Sequence, residues 1–285
     1  MTVVFRTIVR VGALFVALWC WTLCSAHGQI PPGERGAAPA GPAVQDLQKE
    51  AQKGGESEKP KKKYSNPYVQ RAMDKYEARA EQKNHWKAAR HFAKMARKLP
   101  EERSLQIWCA RTSLYCAMRV DHEDTRLSLA RQGEMCAQRV VDTNPGDYEA
   151  GILLIRNKLL YKQTDGLIAF FFYGGDAKDW LEPMMENFPK RFEAYQVLGG
   201  LYVDAVKEPF SFGDPAKGIE ILEKGQAHLG ADAEYYYNLG LAYEAADRLP
   251  EARVSFRRCV QEGIARPHLE WEAGFFKDLA REKLK

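Results

Sequence analysis

The sequence predicts an all-α chain of antiparallel helix pairs, and three observations carry that prediction. From Tyr64 onward, apolar residues recur three and four apart, as in "VQRAMDKYEARAEQK" and "WKAARHFAKMARKLP"; that is the spacing of one buried helix face. Runs of β-branched residues, which favour strands, are scarce. Turn signals then punctuate the helical stretches: "KN" at 83, "LPEE" at 99, "NPGD" at 144, "YGGD" at 173, "FPKR" at 188, "FGDP" at 212 and "RP" at 266. Asp214 followed by Pro215 reads as an N-cap and first helical position. Asp176, after Gly174 and Gly175, is expected to cap a helix in the same way.

Residues 1–26 read as a signal peptide. Arg6 and Arg10 precede an apolar run from Val11 to Leu23, and small residues follow at Ser25 and Ala26. The run falls short of the roughly 20 residues that span a bilayer. Cleavage after Ala26, lipidation at Cys24 or Cys20, and an uncleaved anchor all remain open, and each sends the chain out of the cytoplasm. Residues 27–65 form a linker rich in Pro, Gly and Lys, too polar to bury a core. Its Lys59, Lys61, Lys62 and Lys63 suit a solvated tether or a contact with anionic headgroups. Residues 66–285 make up the folded domain. The formal net charge is +4, too small a bias to argue for nucleic acid.

Within that domain "NLGLAYEAADRLPEARVSF", from Asn238 to Phe256, carries a spaced pattern. Tyr236, Leu239, Gly240 and Tyr243 precede Ala252 and Phe256. Small residues at Gly240 and Ala252 let two helices approach, and the larger ones fill the space between them. This pattern resembles the tetratricopeptide repeat (TPR), a helix–turn–helix unit of about 34 residues. Asp247 stands where the turn usually has Gly. Tyr195, Leu198, Gly199 and Tyr202 match a first helix, whose partner "GDPAKGIEILEKG" is delayed by the insert "KEPFSF". Ala88, Phe92 and Pro100 match a second helix, with Met95 at a usually small position. Trp108 and Tyr115 match a first helix, with Thr112 for Gly and Pro145 closing the unit. Residues 147–189 align by register only. The resemblance covers roughly residues 66–266 and implies a right-handed superhelical stack of TPR-like units. "RPHLEWEAGFFKDLAREKLK" would be a C-terminal capping helix. The insert before "FGDPAKG" is also similar to the periplasmic T component of TRAP transporters and to regulators of microtubule dynamics, although Gly218 replaces their usual Ala.

No catalytic constellation is visible: there is no phosphate-cradling Gly-rich loop, no HExxH pair and no Gly-x-Ser-x-Gly elbow. The reading is therefore a non-enzyme without cofactor or metal. Cys109 and Cys116 lie about 10.5 Å apart along one helix and cannot pair. A Cys116–Cys136 bridge between neighbouring helices is open, and Cys259 reads as a small buried packing residue.

The TPR resemblance implies that function lies on a concave face lined by the first helices. Its residues follow the leading aromatic, the Gly and the Tyr, at i, i+4 and i+7. They are Tyr237, Leu241 and Glu244 in the last unit, and Gln196, Gly200 and Val203 in the one before. By alignment Ile152, Arg156 and Leu159 follow, then Cys109, Ser113 and Cys116. This lining is apolar around one cation, Arg156. "GLIAFFFYGG", Gly166 to Gly175, is either core or an interaction patch. The expected function is an exported scaffold binding an envelope protein or peptide through the concave face. The alternative is a transporter-associated periplasmic protein holding a small hydrophobic or amphiphilic ligand. Membrane contact through the N-terminus and homo-oligomers are open.

Overall fold

The structure is a computed structural model and describes residues 66–77, 85–206, 211–228, 232–261, 263 and 269–285, with backbone alone at 77, 85, 167–169, 171 and 172. The signal peptide, the linker with its lysines, positions 207–210 of the insert, and the turns at 83 and 266 lie outside the described residues.

Among the described residues the chain forms eleven α-helices. They are α1 (Pro67–Glu77), α2 (His85–Lys98), α3 (Arg103–Ala117), α4 (Glu123–Thr143), α5 (Tyr148–Asp165), α6 (Leu167–Asn187), α7 (Phe192–Asp204), α8 (Pro215–Gln226), α9 (Ala233–Ala245), α10 (Leu249–Gln261) and α11 (Glu270–Leu284). Each helix packs on the next, and α3, α5, α7 and α9 also pack on one another in order. The odd-numbered helices thus form an inner layer and the even-numbered ones an outer layer.

Local chemistry fixes the breaks. Asp214 accepts from the amides of Ala216 and Lys217 at 2.9 and 3.2 Å, with Pro215 opening α8. Asp232 caps α9 by accepting from Tyr235 N at 3.0 Å. Asp147 caps α5 through Ala150 N at 3.0 Å and also accepts from Arg103 Nη2 at 2.9 Å. Desolvation pushes the Asp147 carboxyl up, but the Arg103 hydrogen bond and the Ala150 amide outweigh it, and the group titrates below the usual range. Asp247 sits at φ 60°, the left-handed region. That is why a turn of this kind usually takes Gly, and why Asp is tolerated better than a branched residue.

The "YGGD" expectation is corrected: α6 runs unbroken through Gly174 and Gly175, and Asp176 caps nothing. A Cβ on Gly174 would lie 3.6 Å from Phe212 and 3.7 Å from Leu201, so tertiary packing fills this glycine's surroundings. The intrinsic cost of a mid-helix glycine, about 1 kcal/mol, is small enough for packing to override. In the "LIAFFFY" stretch the backbone is helical and Phe170 is buried.

The spaced residues of the repeat are core. Trp108, Tyr115, Tyr195, Leu198, Tyr202, Tyr236, Leu239, Tyr243, Ala252 and Phe256 are all buried. A Cβ at Gly240 would stand 2.4 Å from Phe256 Cε1. Gly240→Leu is therefore expected to cost about 1–3 kcal/mol by overpacking; an unchanged urea midpoint would mean that α9 and α10 separate freely there. Gly218, a departure from the T-component pattern, has its own reason. A Cβ on it would lie 2.8 Å from the Gly199 carbonyl oxygen, so α7 and α8 meet glycine to glycine.

The cysteine expectation is also corrected. Cys109, not Cys116, bridges Cys136, with Cα atoms 6.1 Å apart. The register of the α3–α4 hairpin explains it. Cys109 faces Cys136 and, one turn on, Ser113 accepts from Gln132 Nε2 at 2.8 Å. The same register sets Cys116 level with Leu129, about 10 Å along the axis from Cys136. Cys259 is a buried free thiol, and Cys116 is buried as well. Burial pushes the Cys259 thiol up to about 12, in keeping with a packing role.

Candidate functional site: the inner face and its groove

The inner face is not an open trough, because the stack closes on itself. α11 packs on α9 and α10 as a following inner helix would. It then reaches the other end of the array. Phe276, 2 % exposed, has ring centroids 6.5 Å from Tyr115 of α3 and 5.9 Å from Tyr237 of α9. Arg119 Nη2 donates to the Trp271 carbonyl at 2.9 Å while its guanidinium covers the Trp271 ring. Buried Glu272 accepts from the Tyr76 hydroxyl of α1. Lys283 Nζ pairs with Glu244 at 2.6 Å. One apolar core therefore includes Val69 at one end of the domain and Ala280 at the other.

A second tie joins α3, α5 and α9. Glu234, its side chain 5 % exposed, accepts from Tyr115 Oη at 2.8 Å and is ion-paired with Arg156. The Arg156 guanidinium also lies 5.6 Å from the Tyr115 ring centroid. Arg156 is the one cation the sequence places in the lining. Its charge is matched within the fold by Glu234, and moving it would leave a buried carboxylate, a costly change.

What stays accessible is a groove of about 190 Å³ between α3, α5, α6, α7, α9 and α11. Half-buried Leu159, Leu160 and Val197 give it an apolar surface, backed by buried Leu114, Phe170, Leu201 and Phe276; Gln163, Asn238 and Asp204 add polar groups, with Gln196 largely buried beneath them. Asp204 is exposed, and partial desolvation by its neighbours pushes its carboxyl up.

The sequence-derived residues divide accordingly. Arg156, Leu159, Gln196 and Gly200 meet at this groove. Ile152 is 5 % exposed and belongs to the core between α5 and α7. Val203 faces α8, its Cγ2 2.9 Å from where a Gly218 Cβ would stand. Tyr237 packs between Phe256 and Phe276, and burial, then the Glu244 carboxylate, pushes its phenol up to about 12. Leu241 is half-buried against the same core, and Glu244 holds Lys283. Cys109 and Ser113 face α4, and Cys116 is buried. The sequence reading missed Leu114, Leu160, Phe170 and Phe276; only the helical phase of Leu114 and of Leu160, one residue after Leu159, hinted at them.

A larger depression of about 370 Å³ lies between α4, α5 and α6, lined by Leu154, Lys158, Tyr173, Asp176, Asp179 and Trp180. Its Lys158 is already engaged by Glu134 at 4.0 Å and by the Tyr173 ring at 5.6 Å. With Lys158 held by Glu134, Asp176 and Asp179 leave the depression with a negative surplus. Among the described residues no group of His, Cys, Asp and Glu is arranged to hold a metal.

The arrangement of inner and outer layers finds its match among solved structures. A thermophilic TPR protein of Thermus thermophilus, TTC0263, superposes with a TM-score of 0.55 at 17% identity, over 75% of this chain and 98% of that one. The fold is that of a TPR solenoid. MamA is similar at 19% identity over 73% of this chain and 95% of its own, with a TM-score of 0.39. MamA of Desulfovibrio magneticus RS-1 reaches 0.41 at 17% identity, over 69% and 95%. No family model matches the chain, and no curated protein matches it.

Proposed function

We propose that this TPR solenoid is an interaction scaffold that works outside the cytoplasm and seats an apolar anchor of a partner protein or peptide in the inner groove. The observation that carries this reading is the groove's chemistry: an apolar lining, polar groups at Gln163 and Asn238, and a cation already neutralised by Glu234. Such a surface favours one or two aliphatic or aromatic side chains flanked by hydrogen-bonding backbone. Its volume, about 190 Å³, is below the roughly 300 Å³ at which pockets begin to enclose a small molecule. That favours a partner's side chains over a transporter's small ligand. The Cys109–Cys136 bridge supports export, since such bonds persist in oxidising compartments. An envelope protein is then the natural class of partner.

A photo-crosslinking side chain at Leu160 tests the reading, with Val254 on the exposed outer face as control. Irradiation of cells should give a discrete adduct from position 160 and none from 254. A product of twice the chain's mass would identify a second copy as occupant. Identical adduct patterns from both positions, or none from 160, would remove the groove as a site.

A further inference from the structure

Among the described residues, a local surplus of positive charge sits on α1 and α2. α1 and α2 hold seven Lys and Arg against Asp74 and Glu77, a surplus of five, while the whole chain is only +4. α2, "HWKAARHFAKMARK", contains no acidic residue at all. Its Ala88, Ala89, Phe92, Ala93 and Ala96 are buried, which fixes the helix's rotation. Lys87, Arg90, Lys94, Arg97 and Lys98 therefore all point outward and are exposed. At roughly 100° per residue they share an arc of about 100°, over about 16 Å of helix axis.

These five cations form no ion pair among the described residues. Several exposed cations elsewhere have partners: Lys217 and Lys224 flank Glu220, Arg248 meets Glu251 and Arg281 meets Asp278; exposed Lys190, Arg253 and Arg257 have no ion pair either, but they are not gathered in a row of five on one helix face. Lys75 of α1 extends the face, being close enough to His91 that, after burial, it and Lys94 lower the imidazole's titration. A convex row of long, unpaired cations cannot enclose a single small anion. It fits an extended anionic surface that it can meet at many points.

We infer that the α1–α2 face docks on an anionic lipid bilayer. In chain order these are the first described helices after the apolar run Val11–Leu23 and the lysines at 59 and 61–63, whose compositions also suit a membrane surface. The export proposal decides only which membrane is met; the vesicle behaviour stands without it, and the groove adduct tests the other reading separately.

The test is partitioning of the full chain onto phosphatidylcholine vesicles with and without about 30 % phosphatidylglycerol. The quantity read is the ratio of the two partition coefficients, because any insertion of the N-terminal apolar run contributes to both. The ratio should be well above one and should fall as salt rises from about 0.05 to 0.5 M. Each basic residue at such a surface is worth about a factor of five, so Lys87→Gln/Arg90→Gln/Lys94→Gln should lower the ratio by about 100-fold. All three side chains are exposed and unpaired, so circular dichroism should be unchanged. A ratio near one, a ratio indifferent to salt, or a variant within two-fold of wild type would overturn the inference. So would tighter binding to random duplex DNA than to the anionic vesicles, lost in the same variant.

Discussion

Phe276→Ala is expected to lower stability by about 3–5 kcal/mol, the upper range for a buried aromatic truncated in a core. The residue is 2 % exposed and lies between Tyr115 of α3, Tyr237 of α9 and Phe275 of its own helix, with centroids at 6.5, 5.9 and 5.3 Å. An ordinary terminal helix would lose contacts only with its neighbour. Here the cavity opens where the two ends of the array meet. Urea unfolding should show the loss. Hydrogen exchange should show faster opening of α11 together with α1, because Glu272 and Tyr76 fasten the two. A loss below 1 kcal/mol would mean that α11 is a peripheral cap and that the closure contributes little.

The second large effect is redox-dependent. The Cys109–Cys136 bond closes a loop of 27 residues. Constraint of the unfolded chain over such a loop corresponds to about 3–4 kcal/mol. Denaturation with and without reductant should differ by that amount, and Cys136→Ser should match the reduced protein. Blocking thiols in whole cells before lysis, followed by peptide mapping without reductant, should recover the Cys109 and Cys136 peptides joined. A free Cys109 thiol in protein taken directly from cells would remove both the added stability and a main support for export.

Much of the architecture is legible without a structure because its causes are local. Asp214, Asp232 and Asp147 satisfy helix-start amides two or three residues away. Gly240 and Phe256 declare a close helix pair through residue size alone. Leu159 and Gln196 could be placed on the inner face from helical phase and repeat alignment, and they do meet there. Where the reading failed, the deciding neighbour was distant. "YGGD" has the composition of a turn, but packing by Phe212 and Leu201 accommodates the helix. From the sequence only a Cys116–Cys136 bridge stands open, and the stagger of α3 against α4 gives the bond to Cys109 instead.

The sequence by itself determined the helical character of the domain, most of the breaks and pairings, and the residues that fill the clearest pairs, because these depend on contacts within three or four residues or within one hairpin. The tertiary structure alone decided how far the superhelix closes. Each unit adds a small rotation, and the sum over the array brings Tyr76 and Tyr115 against a helix that begins more than 150 residues later. That sum has no local signature. It assigns Arg156 to Glu234, puts Tyr237 beneath Phe276, and leaves the groove beside Leu159 and Gln196 open to a partner.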